Sequence, residues 1–476
     1  MSGMRRLLTI GLIAALALFA VPALATSLTD AQRLEAYYAL ANMNIESGEY
    51  DAAIEYIDKC LAIAGEDNPA LNADLYLKKG VLQYERGDRG GATENLQRAL
   101  DIDPDLSDAR LVLAQIYADQ QDTAAAIESM EAYVEDRPGE VSMYQTMGQL
   151  YFSDGRFAEA IEAYTRYLDG ADAFDPDAHY MRGVCYLQTG AFEQAAEDFE
   201  LAFASQTYGD DARYNRGVCY LQLGRYTEAE ADFTACIDTG AAIDGLRYNR
   251  GVSRMAQQRY EGAIEDYMAA YDAGSYPADS MYNAGMCHLE LGLYAEAAED
   301  FTAYIEVADE KNKDLGLYYR AICRMAAGEY ESAVADFADC VERSFNPDDA
   351  RYNMAVCLLQ LGRHGEALEA LDACIAAGYE VVQCRYYRGV ALAAMGDLEG
   401  AVAEYTLNIE SGELLATSYY NRGMCYTKLG EAEKAQADLM MALTFEDEMP
   451  ATDVAGLEGD LSEEGLHSLK DELTAD

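Results

Sequence analysis

The sequence predicts an all-α array of stacked antiparallel helix hairpins, and three observations predict it. Tyr214-Asn215-Arg216-Gly217 returns as Tyr248-Asn249-Arg250-Gly251 34 residues later, as Tyr282-Asn283-Ala284-Gly285 after another 34, and as Tyr420-Asn421-Arg422-Gly423 near the end. A fixed period of this size marks a repeat array. Apolar residues recur at helical spacing on either side of a Gly at the fifteenth position of the period, for example Gly155 and Gly224. Gly there ends a helix because it accepts the left-handed cap. Only 8 of 476 residues are Pro, so helices run unbroken between turns.

From Leu34 onward the chain aligns to one frame of 34 residues. Position 8 is Gly or Ala in every copy, from Ala41 and Gly80 to Gly389 and Gly423. Position 20 is Ala in all twelve, from Ala53 to Ala435. Position 24 is large and apolar, as in Tyr164, Phe199, Phe233, Phe301 and Phe337. Small residues at 8 and 20 let the two helices touch, and bulky residues at 24 and 11 (Tyr151, Tyr186, Tyr220) fill the space beside that contact. One hairpin cannot bury its apolar faces alone, so neighbours stack.

This pattern resembles the tetratricopeptide repeat (TPR) family over residues 34–445. The repeats run 34–72, 73–106, 107–140, 141–175, 176–209, 210–243, 244–277, 278–313, 314–347, 348–381, 382–415 and 416–445. The resemblance implies a right-handed superhelical α-solenoid. Repeats 2 and 3 depart from it at position 17 (Arg89, Thr123). The step from repeat 1 to 2 is 39 residues, with an insert near Glu66-Asp67-Asn68-Pro69, and the step from 8 to 9 is 36, near Glu310-Lys311-Asn312-Lys313. Both inserts read as loop bulges.

The two ends lie outside the frame. Arg5 and Arg6, the apolar run Leu7 to Val21 and Ala23-Leu24-Ala25 read as a bacterial-type signal peptide over 1–25, cleaved before Thr26. That address is secreted, periplasmic or cell-envelope; the alternative is an uncleaved anchor. Residues 446–476 are strongly acidic, and Leu466, Leu469 and Leu473 form either one capping helix or part of a disordered tail.

Net charge is −51, from 85 acidic and 34 basic residues. Such a surface repels phosphate backbones, so nucleic acid is not an expected partner. The four His share no ligand spacing, and no nucleophile, phosphate or dinucleotide motif appears. No enzyme activity, cofactor or metal is expected.

Arg at position 7 goes with an acid at position 23 in the same repeat. The expected pairs are Arg182–Asp198, Arg216–Asp232, Arg250–Asp266, Arg320–Asp336, Arg388–Glu404 and Arg422–Asp438. Repeat 8 breaks the rule with Ala284 and Asp300, and repeat 2 has a lone Lys79. An Arg already paired inside its hairpin is poorly placed to clamp a ligand carboxylate.

Eleven Cys fall mostly at positions 10 and 27, whose separation of roughly 13 Å is too long for a bridge. Most are expected to be buried thiols, with Cys374–Cys384 as the one plausible disulfide.

Resemblance to TPR proteins implies that positions 2, 5, 9, 12 and 13 of each first helix face a partner-binding groove. Position 5 is Tyr in repeats 5 to 12 (Tyr180, Tyr214, Tyr248, Tyr282, Tyr318, Tyr352, Tyr386, Tyr420), and position 9 is aliphatic (Val184, Val218, Val252, Met286, Ile322, Val356, Val390). Asp177, Asp211, Asp279 and Asp349 stand at position 2. The expected function is a protein-interaction scaffold for a polypeptide with apolar anchors and some Lys or Arg. The alternatives are an assembly factor tethered by the uncleaved leader, and a glycan-binding protein or enzyme accessory subunit.

Overall fold

The computed structural model describes residues 28–445. The leader and the acidic tail with its three leucines lie outside the described residues. The chain divides into two units, Met1–Gly224 and Arg225–Asp476.

The first unit carries α1 (Asp30–Ser47), α2 (Tyr50–Ala64), α3 (Pro69–Glu85), α4 (Arg89–Ile102), α5 (Ser107–Asp119), α6 (Thr123–Asp136), α7 (Val141–Ser153), α8 (Phe157–Gly170), α9 (Pro176–Gln188), α10 (Phe192–Leu201) and α11 (Gly209–Gln222). The second carries α12 (Tyr226–Thr239), α13 (Leu246–Ala256), α14 (Tyr260–Asp272), α15 (Pro277–Glu290), α16 (Tyr294–Val307), α17 (Lys313–Ala326), α18 (Tyr330–Glu342), α19 (Pro347–Gln360), α20 (His364–Ala377), α21 (Val381–Met395), α22 (Leu398–Ser411), α23 (Leu415–Leu429) and α24 (Ala432–Thr444). Within each unit every helix packs on the next in sequence. First helices of successive hairpins also touch directly, as α9 does α11 and α19 does α21. The chain is therefore an all-α repeat array.

Every hairpin turns at position 15 with a left-handed residue. Gly supplies it in ten copies, for example Gly155 (φ 75°) and Gly224 (φ 70°), and Gln121 (φ 62°) and Gln258 (φ 58°) take it in the other two. A side chain at this φ costs roughly 1–2 kcal/mol, so the turn geometry is set by the packing of the two helices.

That packing centres on positions 8, 20 and 24. The twelve Ala at position 20 are buried, and so are the twelve large residues at position 24, from Ile57 to Leu439. The close contact is between 8 and 24. A Cβ on Gly251 would lie 2.8 Å from the Tyr267 ring, one on Gly285 2.9 Å from Phe301, and one on Gly389 2.7 Å from Tyr405.

The insert between repeats 1 and 2 is not a loop bulge. Pro69 begins α3 early, and the extra residues lengthen that helix to 17 residues. Pro is favoured at a first helical position, where its missing N–H is no loss. Asn72 ties the short connection down by donating to the Gly65 carbonyl at 2.6 Å. The second insert does fall between helices, over 308–312.

Two substitutions test these constraints by urea unfolding. Gly251→Ala is expected to cost about 1–3 kcal/mol, because the buried Tyr267 ring cannot yield. Gln258→Gly is expected to add about 0.5–1 kcal/mol by relieving the left-handed strain. A neutral Gly251→Ala would show that the 8-to-24 contact is not tight.

Candidate functional site

In repeats 5, 7, 9 and 12, position 7 of the first helix faces position 23 of the second, and the clamp there is bidentate. Arg182 donates to both oxygens of Asp198 at 2.7 and 2.8 Å. Arg250 does the same to Asp266 at 2.9 and 2.7 Å, Arg320 to Asp336 at 2.8 and 2.7 Å, and Arg422 to Asp438 at 2.7 and 2.9 Å. These carboxylates are buried. Arg388 reaches only one oxygen of Glu404, at 2.5 Å, and burial raises that carboxyl above its ordinary value. Arg216 and Asp232 fall in different units. Within its own unit, Arg216 lies 4.4 Å over the Phe203 ring.

Each Arg also reaches back to position 25 of the preceding repeat. Arg182 donates to Thr165 at 3.1 Å, Arg250 to Thr234 at 3.4 Å, Arg320 to Thr302 at 3.3 Å and Arg422 to Thr406 at 2.9 Å. Where position 25 is acidic the contact becomes ionic: Arg388 meets Asp372 at 2.8 Å and Arg216 meets Glu200 at 3.7 Å. Lys79 uses the same register, 2.6 Å from Asp58. One guanidinium thus closes its own hairpin and ties it to the one before. Spent on both, it is not available to a ligand carboxylate.

Repeat 8 replaces the clamp rather than lacking it. His288, at position 11, lies 2.6 Å from Asp300 through Nδ1. Arg254 and Arg324 occupy position 11 in repeats 7 and 9 and add second contacts to Asp266 and Asp336, at 2.9 and 2.6 Å. In repeat 5, His179 adds one to Asp198 at 2.9 Å. Burial raises the Asp300 carboxyl, and His288 only partly offsets it. Burial also acts to raise Asp198, but hydrogen bonds from Arg182 and His179 outweigh it and leave that carboxyl below its ordinary value. Sequence reasoning missed His288. The signal was available: the one repeat with the acid but no Arg has a base where its neighbours have Arg.

The expected groove residues are half-buried along the first helices. The tyrosines at position 5 are engaged by other rings, within their own repeat or, for Tyr282 and Tyr352, from the next one. Tyr180 stacks on Tyr208 with centroids 4.4 Å apart, and Tyr248 on Tyr276 at 4.8 Å. Tyr282 meets Tyr319 at 5.8 Å, Tyr318 meets Phe345 at 6.0 Å, Tyr352 meets Tyr387 at 6.0 Å and Tyr386 meets Tyr405 at 6.1 Å. Their hydroxyls accept from Asn at position 6 of the next repeat: Asn215 to Tyr180 at 3.3 Å, Asn283 to Tyr248 at 3.4 Å and Asn421 to Tyr386 at 3.5 Å. Tyr318 donates to Asp349. Position 5 therefore glues repeats together and shows only part of each ring. Tyr214 and Tyr420 are likewise half-buried. Val184, Val218, Val252, Met286, Ile322, Val356 and Val390 stand one turn further along, also half-buried.

All eleven cysteines are free and buried. Burial pushes thiols such as Cys185, Cys219 and Cys357 up to about 12. Cys374 and Cys384 are unbridged and share one buried cluster with Leu371. Cys374 donates to the Asp348 carbonyl at 3.6 Å and Cys384 to the Tyr379 carbonyl at 3.5 Å, and the interaction of the two thiols lowers Cys374 and raises Cys384.

Among the described residues, no helix is long and apolar enough to cross a membrane. Three sequence models described as tetratricopeptide repeat match the chain: one at 146–208, 248–313 and 358–407, one at 83–150 and 324–380, and one at 34–67, 210–239 and 416–447. Solved structures that match include a tetratricopeptide repeat protein from Parabacteroides merdae ATCC 43184, at 18% identity over 53% of this chain and 98% of that one, with a TM-score of 0.37. A MamA protein matches at 22% identity over 39% of this chain and 96% of that one, TM-score 0.33. MamA of AMB-1 matches at 24% over 36% and 90%, TM-score 0.32. No curated protein matches.

Asp198 and Asp300 occupy one frame position but are expected to give opposite pH slopes. A carboxyl lowered in the folded state stabilises above its unfolded value, and that stability is lost as pH falls through the folded one. A raised carboxyl does the reverse, and its contribution is lost as pH rises. Melting at steps between about pH 3 and 6 should show the deficit of Asp198→Asn growing with pH. The deficit of Asp300→Asn should shrink over the same range; slopes of one sign would refute the difference. Denatured, unreduced protein is expected to titrate eleven thiols, and a count short by two would place a bridge at Cys374–Cys384.

Proposed function

The chain belongs to the tetratricopeptide repeat family, and we propose that it is an exported, non-catalytic scaffold that binds a polypeptide along the face carried by its first helices. One observation carries the reading: position 9 is aliphatic and half-buried in repeat after repeat, beside the part-exposed Tyr edges of position 5. Such a track suits a peptide with apolar anchors. The net charge of −51 favours basic residues between those anchors. Export rests on the basic, apolar and small-residue run before Thr26. An uncleaved leader would make the same repeats a tethered assembly factor.

Peptides selected by display on the wild-type protein test the face. Val184→Glu, Val252→Glu and Val390→Glu combined should reduce their binding by about tenfold or more, because the apolar anchors then meet charge. Melting should show the variant still folded. Undiminished binding by a folded triple variant would remove the face from consideration. Sequencing the N-terminus of exported protein should read from Thr26.

A further inference from the structure

Repeat 4 departs from the Tyr track and leaves a cavity. Its position 5 is Gln145 and its position 9 is Gln149, where repeats 5 to 12 have Tyr and an aliphatic residue. Between α7, α8 and α9 this opens a space of about 340 Å³. Phe152, Met181 and Tyr208 supply apolar wall; Gln149, Tyr164 and Asp177 supply polar groups.

Two observations point to an occupant. The first is Tyr164. The residue is fully buried, and its hydroxyl has no hydrogen-bond partner. A buried hydroxyl left unpaired is costly, so each such group needs an explanation. The ring alone does not require Tyr, because Phe199, Phe233, Phe301 and Phe337 occupy the same frame position and are equally buried. The second is Asp177. It is the one charged residue lining the cavity. Its Oδ1 accepts from Ser205, and its Oδ2 takes no hydrogen bond from the described residues. Asp349, at the same frame position in repeat 10, has both oxygens engaged by Tyr379, Asn353 and Tyr318.

We propose that this cavity is a subsite for a lysine side chain of the polypeptide partner. The inference rests on the peptide-binding reading. An ammonium carries three donors, and three residues with side-chain acceptor oxygens line the cavity: Asp177, Tyr164 and Gln149. The walls of Phe152 and Met181 take the methylene stem. Arginine fits less well, because its planar fork seeks a bidentate carboxylate and Asp177 has one oxygen already engaged. The strongly acidic chain raises the local concentration of cations without selecting between them.

The probe is Nα-acetyl-lysine methylamide, followed by saturation-transfer NMR on the full chain. The norleucine analogue, which lacks the charge, and the arginine analogue serve as comparisons. The lysine probe should bind more tightly than either. Asp177→Asn should weaken it by about tenfold and Tyr164→Phe by about fivefold. Tyr164→Phe should melt no lower than wild type, since Phe already fits this position elsewhere. Equal binding of lysine and norleucine probes, or lysine binding indifferent to both variants, overturns the subsite. Displayed peptides that lose affinity to the triple valine variant but not to Asp177→Asn would sink the subsite and leave the face standing. A lysine probe that binds a chain retrieving no peptides would do the reverse.

Discussion

The contact on which the structure depends is the one between the small residue at position 8 and the large side chain at position 24. A Gly such as Gly251 lets the Tyr267 ring lie where a Cβ would be. That approach brings the helices close enough for Arg250, one residue earlier, to reach Asp266 with both arms of its fork. Truncating one partner of such a buried pair costs about 3–5 kcal/mol, and Arg320 forms the same pair with Asp336 beside Ala321, so a small residue at position 8 is enough. The turn obeys the same constraint. Gln258 accepts an unfavourable φ because the helices on either side have already fixed where the chain must go.

Much of this was legible in the sequence, because a repeat states the same constraint twelve times. The helices, the small residue at 8 and the bulky one at 24 all follow from the period. The pairing of positions 7 and 23 followed from their joint presence or absence within a repeat. The second partner, at position 25 of the preceding repeat, did not. It crosses a repeat boundary, and its chemistry varies among Thr165, Glu200, Asp372 and Asp58. A search for one residue type passes over it. His288 was overlooked because spacing among histidines was weighed, and its partner is an Asp twelve residues on. The insert at Asn68-Pro69 read as a loop because Pro punctuates turns. Pro also opens helices, and α3 grew instead.

The face along the first helices was legible only in part. Its residues could be named, but how much of each was free for a partner could not. Tyr248 is held by a ring on one side and an Asn from the next repeat on the other. This stacking restrains the Tyr248 ring, which would lower the entropic cost of the proposed binding, but it also takes up most of the ring. In the proposed scaffold, affinity would come from ring edges, the aliphatic residues at position 9 and the acidic rim. A surface built from identical elements in register supplies reach more than selectivity.

Selectivity therefore has to come from places where the frame is broken. A sequence consistent at every level specifies a fold, and local departures with no structural gain are where function concentrates. The departures differ in kind. Ala284 with His288 keeps the hairpin closed by other means, so its logic is internal. Gln145 donates to Asp175 at 3.3 Å, but neither it nor Gln149 fills the space that Tyr and an aliphatic residue take in repeats 5 to 12. They leave a cavity, an unpaired buried hydroxyl on Tyr164 and a half-used carboxylate on Asp177. Tyr also fills this position in repeats 7 and 11, where Tyr267 reaches the Met255 sulfur at 3.6 Å, but the buried Tyr164 hydroxyl has no partner. The proposed lysine side chain would supply that partner from outside, with a charge that opposes that of Asp177.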